Sequence, residues 1–281
     1  MRVFPKTIAR AVLGVLLASG ALLASRLTFA ASISSPTSAK DIVSQMMANE
    51  VLAIQHKDHY EYISNERSER TGGHLWSEKV VETNLGKVRF LLAEDGQPLS
   101  PDRAAEERGR LAAIVAAPAA FQKREKTLSN DEAHARQIFA LLPRAFLFSD
   151  PRPEGEYLRI DFRPDPAYQT QSMEERVLHG MSGTMLVQPQ CLRLHRIEGR
   201  LPQDISIGFG LLATIRAGSS FSTTRNPLGE PDWKTTALDT DIVGKAIFFK
   251  SFAKKQHAER SAFTRVPNEL TVAQAVELAE R

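Results

Sequence analysis

Few side chains in this sequence stand at spacings that could do chemistry. His56 and His59 form an H-x-x-H pair around Asp58. Two imidazoles can begin a zinc site, but such a site needs at least one further ligand in fixed geometry, and none is spaced for it. The pair falls where a helical pattern ends, so it reads as a solvated charged face. Ser182-Gly183-Thr184 and Gly218-Ser219-Ser220 set hydroxyls beside glycines. Neither has the G-x-S-x-G form of a nucleophile elbow, so both read as turn or strand-edge residues. Asp239 and Asp241 are carboxylates separated by one residue; paired acid–base work needs a partner held across a cleft, and a loop is the expectation for them. His179 and His195 have no acid placed by spacing. Cys191 is the only cysteine, which rules out an internal disulfide and points to an inert thiol at a strand start. This inventory holds no catalytic motif and calls for no cofactor and no metal. The apolar faces are the stronger candidates for function.

The elements that carry apolar surface are strands. Residues 181–215 read as three β segments, 184–187, 191–197 and 205–215, joined by Gln188-Pro189-Gln190 and by breaks at 198–203. Leu192 and Leu194 share one face of the second segment, with Arg193 and His195 on the other. Ile205, Ile207, Phe209, Leu211, Ala213 and Ile215 share one side of the third. Strict alternation buries one face of a strand, and consecutive alternating strands with tight connections predict an antiparallel sheet. Gly208 and Gly210 inside the third segment point to sharp curvature.

Upstream, residues 38–55 predict a helix with Ile42, Val43, Met46, Met47, Val51 and Ile54 at helical spacing. Residues 59–70 alternate weakly. A hairpin is predicted from 75–83 and 86–94, with Val88, Phe90 and Leu92 on one face. Ser100 opens a helix with Pro101 in first position, running to Pro118. A second helical piece covers about 130–142, and residues 121–129 between them read as helix extension or loop. Further strands are expected at 146–148, 157–162, 221–225, 233–238 and 245–252. Short helices are expected at 173–179 and 272–280, the latter capped by Thr271. The charged run 254–260 reads as a solvated loop. The fold class is therefore α+β: one strongly curved antiparallel sheet with helices on one side. Val88, Phe90, Leu92, Leu192, Leu194, Ile207, Phe209, Leu211 and Phe248 are the candidate lining of an apolar cavity, with plain core contact against the helices as the alternative, since alternation shows a buried face and not what buries it.

Residues 1–30 have the form of a secretory signal: Arg2, Lys6 and Arg10, then the apolar run 11–25, then Thr28-Phe29-Ala30 with small residues before Ala31. The apolar run is short for a membrane span. Cleavage near Ala30 and export are the expectations. Residues 31–39 read as a flexible lead-in, and 40–281 as one domain with a helical insertion at about 100–142. The leader carries Arg2, Lys6, Arg10 and Arg26 and no acid, so its removal takes the formal charge from +3 to −1. The remainder offers no case for nucleic-acid binding.

Residues 59–70, 91–111, 163–201 and 244–252 resemble the LolA-like periplasmic lipoprotein-carrier superfamily, and more narrowly its outer-membrane lipoprotein-sorting group. The most specific segment is SGTMLV-QPQ-CLRLHRIEG at 182–199; Gln188 stands where an acid commonly ends the first strand. The resemblance implies an incomplete antiparallel barrel closed by helices, with an apolar cavity for lipid or lipoprotein acyl chains. It further implies helices on the concave side of that barrel, a periplasmic binder that is not an enzyme, a role in lipoprotein transport and outer-membrane biogenesis, envelope-protein partners and peripheral membrane contact at most. An envelope sensor or interaction protein on the same fold is the alternative it leaves open.

Overall fold

The computed structural model describes residues 38–53, 58–207, 213–229, 232–246 and 250–281. The expected leader and lead-in at 1–37 therefore lie outside the described residues. In chain order the elements are α1 (Ala39–Ala53), β1 (His59–Arg67), β2 (Leu75–Thr83), β3 (Gly86–Glu94), β4 (Gln97–Pro98), α2 (Pro101–Ala116), α3 (Pro118–Phe139), α4 (Leu142–Ala145), β5 (Phe146–Phe148), β6 (Arg152–Glu154) and β7 (Tyr157–Pro164). They continue with α5 (Met173–His179), β8 (Ser182–Gln188), β9 (Arg193–Arg200), β10 (Ile205–Ile207), β11 (Ala213–Ile215), β12 (Ser220–Gly229), β13 (Asp232–Ala246), β14 (Lys250–Val266) and α6 (Val272–Glu280). The class is α+β. The strands form one antiparallel sheet in the order β4-β3-β2-β1-β14-β13-β12-β9-β8-β7-β5, which does not close; β11 pairs with β13, β10 with β11, and β6 with β7. Among the described residues no helix is long and apolar enough to cross a membrane.

Several boundaries follow from local chemistry. The Ser100 hydroxyl accepts from the Arg103 N–H at 3.2 Å and Pro101 occupies the first turn of α2. Thr271 and Gln274 form a reciprocal capping box on α6. The β2–β3 hairpin turns through Asn84 and Leu85, with Thr83 opposite Gly86. Gly86 has φ +145°, and a Cβ there would collide with the Glu125 side chain. Residues 121–129 are helical, so α3 is one 22-residue helix.

Other expectations are corrected. Residues 205–215 are not one strand: Ile205 lies opposite Ile215, so the chain reverses within the stretch. Two short arms of a hairpin can show the same alternation as a single strand, and the pattern alone does not separate them. Likewise 245–252 spans the end of β13 and the start of β14, where Ala246 opposes Lys250. Asp239 and Asp241 lie within β13, paired on both sides, and residues 254–260 lie within β14, where β13 pairs with 254–259 and β1 with 257–260 and hold the charged stretch extended. Leu192 is in the turn before β9 with φ +45°, not in the strand. Val51, expected on the packed side of α1, is 55% exposed.

Register separates the two faces of the sheet. Residues directly opposite each other share a face. One row crosses seven strands as Glu66, Ala258, Leu238, Thr223, Ile197, Met185 and Ile160. Tyr60 and Tyr62 share this face with Val80 and Phe263, so it is termed the tyrosine face. Helices α1, α4 and α5 pack on it: Ile42, Val43, Met46, Leu142, Ala145 and Leu178 meet Ile160, Met185, Val187 and Ile197. The opposite, valine face is covered at β2 and β3, where Val81 and Val88 meet Leu111 and Ile114 of α2, Phe121 of α3 and Val272, Ala275 and Val276 of α6.

The free side of β3 is satisfied by helix side chains. Glu125 accepts from the Lys87 N–H at 2.9 Å, Glu107 accepts from the Leu91 N–H at 2.9 Å, and Arg110 donates to the Arg89 carbonyl. A sheet edge presents unpaired backbone groups that would otherwise recruit another strand, and α2 and α3 occupy these groups. Glu107 is 2% exposed, and Arg110 holds its charge at 2.7 Å.

Candidate functional site

The polar residues concentrate where β1 begins, β13 begins and β14 ends. β13 pairs with β14 only from Ala237 onward, so residues 232–234 leave that ladder and reach other partners. Their side chains alternate between two groups. Asp232 accepts from the Tyr60 phenol at 2.6 Å. Lys234 donates to Glu82 at 2.8 Å and to the Asp58 carbonyl at 3.3 Å, with its ammonium 4.7 Å from the Tyr60 ring centre. Trp233 faces the other group: its ring lies 5.7 Å from the Arg193 guanidinium, and its carbonyl accepts from Arg225 at 3.0 Å.

Glu50 of α1 ties this second group to the helix. Its carboxylate accepts from Arg193 Nε at 2.9 Å, from the Leu194 N–H at 3.1 Å and from Arg225. Asn49 adds a bond to the Cys191 carbonyl at 3.0 Å. Burial pulls the Arg225 guanidinium down to about 10 and lowers Arg193 as well. Both cations are desolvated, and Glu50 is the counter-ion that makes their burial tolerable. His195 stacks on Tyr157 at 4.0 Å, and its Nδ1 lies 2.8 Å from the Arg225 carbonyl.

At the outer end, Asp58, Arg265, Val266, Pro267 and Asn268 line an open recess of about 400 Å³. Asp58 pairs with Arg265 and accepts from Asn268 at 3.3 Å. The Arg265 hydrogen bond is the main reason the Asp58 carboxyl is held down to about 2. Burial, then the Asp232 hydrogen bond, pushes the Tyr60 phenol up to about 12. A general acid or base works best with a pKa near the operating pH. Asp58 and Tyr60 are moved away from it, so this constellation reads as a junction between α1–β9–β12 and β1–β2–β14.

The expected lining residues separate. Val88 is fully buried and Phe90 half-buried beneath α2, α3 and α6 on the valine face. Leu92 is the extra residue of a bulge, since Ser77 opposes Ala93 and Glu78 opposes Leu91; it is 39% exposed. Leu192 and Leu194 pack together in the cluster beneath α1. Ile207 ends β10, with its side chain outside the description, and Phe209, Leu211 and Phe248 lie outside the described residues. The structure thus makes two pairs on different clusters. His56 is also outside the described residues; His59 is buried at 7% exposure. His179 Nε2 lies 3.0 Å from the Asp165 carbonyl, and Asp239 pairs with His257 at 2.6 Å. Cys191 is half-buried in the β8–β9 turn.

Reading the sequence missed Glu50, Tyr60, Arg193, Arg225 and Trp233. Glu50 had a visible signal, because it follows Met46 by one helical turn on the packed side of α1. Arg193 had none. Between Leu192 and Leu194 it reads as outward, and its register partner is Gln188, on the face opposite Leu194; its burial comes from Glu50 of α1 and the Trp233 ring, which are remote in sequence.

No known protein family matches the sequence, no curated protein is detectably similar to it, and no solved structure matches its fold.

Proposed function

We propose that the protein is an exported, non-catalytic carrier or binding protein for acyl chains of lipids or lipoproteins, with the tyrosine face as the concave side of an incomplete barrel. The observation that carries this reading is the row Ala258, Leu238, Thr223, Ile197, Met185 and Ile160. It continues across six strands, yet α1, α4 and α5 cover only its β9–β7 end. Leu238, Thr223 and Phe221 stay half-buried between the helix-covered part and the tyrosines. The path of α3 supports the sense of curvature. Phe121 near its start packs in the valine-face cluster, whereas Phe139 at its end meets Phe221 of the tyrosine face edge to face at 5.3 Å. A helix of that length is about 33 Å long. It reaches both by passing outside β3, which favours a sheet bent toward its tyrosine face.

Such a surface needs no special chemical group to hold a lipid. Each methylene taken from water contributes about 0.8 kcal/mol, so half of a common acyl chain suffices for useful affinity. Native mass spectrometry of the protein purified from an envelope fraction is the test. A bound acyl lipid, released by organic extraction, is the expected result. A ligand-free protein that also fails to take up fatty-acyl probes contradicts the proposal.

A further inference from the structure

The sheet splits where β13 and β14 part. They pair as far as Ala237 opposite Glu259. Beyond that point β13 crosses onto the tyrosine face, where Asp232 meets the Tyr60 phenol at 2.6 Å and the Lys234 ammonium lies 4.7 Å from the Tyr60 ring centre. β14 runs on to Val266 and, among the described residues, pairs with β1 alone. Its other side, over 260–266, is therefore an open sheet edge. Every second residue of such an edge turns its N–H and C=O outward. Exposure agrees. Over 255–259 it alternates: Lys255, His257 and Glu259 are exposed, while Gln256 and Ala258 are less so. Beyond the split, Ser261 and Ala262 are exposed as neighbours, and so are Thr264 and Arg265.

The β3 edge gives the contrast. There Glu125, Glu107 and Arg110 occupy the backbone groups. Among the described residues no side chain does the same for 260–266. The edge is nonetheless held in place, because Phe263 stacks on Tyr62 at 4.9 Å and packs with Leu228. Ala262, with φ +54°, sits in a bulge: Glu61 opposes Thr264, and Ile63 opposes Ser261. A bulge bends an edge, so a short guest fits it better than a long flat strand.

We infer that the 260–265 edge of β14 takes a short, extended, acidic segment of another protein as an added strand. Strand addition draws its affinity from the backbone ladder and its selectivity from the side chains along it. Residues 260–265 hold Arg260 and Arg265 and no acid. Arg265 is paired with Asp58. Arg260 lies 5.9 Å from the Tyr62 ring centre and has no ion pair among the described residues, so it favours a carboxylate across from it. A second copy of this chain is the poorer guest, since its own edge over 260–265 brings arginines and no acid. At the far end, the recess of about 400 Å³ beside Asp58, Arg265 and Asn268 leaves room for the guest's last side chain. The inference stands apart from acyl-chain binding on the tyrosine face.

Fluorescence anisotropy of the full chain with a short labelled peptide alternating valine and glutamate tests it. Saturable binding is expected. The same peptide with lysine for glutamate should bind about fivefold more weakly, and one with a central proline, which removes a ladder donor, about tenfold more weakly. Arg260→Gln should weaken the glutamate peptide about threefold. Hydrogen exchange locates the guest: amides within 260–266 should slow on binding, and those of Lys87 and Leu91 on the helix-guarded β3 edge should not change. If Arg260→Gln fails to fold, the peptide comparisons and the exchange of the unaltered chain decide. The inference is overturned by no binding, by a lysine or proline peptide that binds as well as the glutamate peptide, by a folded Arg260→Gln that binds as tightly as the parent, or by protection that falls outside 260–266.

Discussion

Two neighbouring rows of the sheet, one on each face, divide the chemistry of this molecule. Leu238, Thr223, Ile197, Met185 and Ile160 lie on the tyrosine face, with the last three fully or nearly fully buried. One residue along each strand, Asp239, Ser222, Glu198, Thr184 and Asp161 lie on the other face, and every one is polar. The ion pairs divide in the same way. Glu50 and Arg193, at the tyrosine-face helix, have side chains 12% and 8% exposed; Asp239 and His257 are 53% and 50% exposed. The Glu50–Arg193 pair is a structural commitment, and the Asp239–His257 pair a solvated decoration.

The largest effect should come from Glu50. Glu50→Ala leaves Arg193 and Arg225 without the carboxylate that faces both, and should cost about 3–5 kcal/mol by urea denaturation. Asp239→Ala, which breaks the exposed pair, should cost less than about 1 kcal/mol. Comparable losses would erase the distinction drawn between the faces. Next, Met185→Ala should cost about 2–5 kcal/mol through the cavity it opens. Its neighbour Thr184→Ala, which removes a 3.0 Å hydrogen bond to Asp161, should cost about 1 kcal/mol. The reverse order would mean that the buried row is misassigned.

A smaller effect concerns pH. The Tyr60 phenol titrates near 10 when unfolded and at about 12 when folded. Its stabilising contribution is intact below pH 10 and is lost as pH rises toward 12, because the folded state then holds the proton that the unfolded state has released. Tyr60→Phe should lose less stability than the parent between pH 9 and 11.5. Asp58 works in the opposite direction: with its carboxyl held down to about 2, its contribution is present above pH 4 and disappears as pH falls toward 2. Asp58→Asn should flatten that acid limb.

Local features were readable where a single residue type dictates the backbone. Ser100-Pro101, Thr271 and the Asn84-Leu85 turn mark their elements correctly because caps and hairpin turns depend on neighbours in sequence. The antiparallel sheet was readable from alternation. Which alternating residues share a surface was not, because that depends on register and on bulges at Leu92 and His195, each of which shifts the pattern by one residue. Val88 and Leu194 look equivalent in sequence and lie in clusters on opposite faces. The charged stretch 254–260 looked like a loop because its stability as a strand comes from β13 and β1 on either side, a long-range fact. Asp232, Trp233 and Lys234 form part of a junction only because β13 leaves β14 there.

Leu238 and Asp239 are consecutive residues on opposite faces, so they offer the most direct test of acyl-chain binding. Titration with a fluorescent fatty-acyl probe should give saturable binding to the parent and to Asp239→Asn. Leu238→Asp, confirmed as folded, should abolish it by placing a carboxylate in the path of the chain. Equal probe affinity for all three proteins, or none for the parent, would contradict the account.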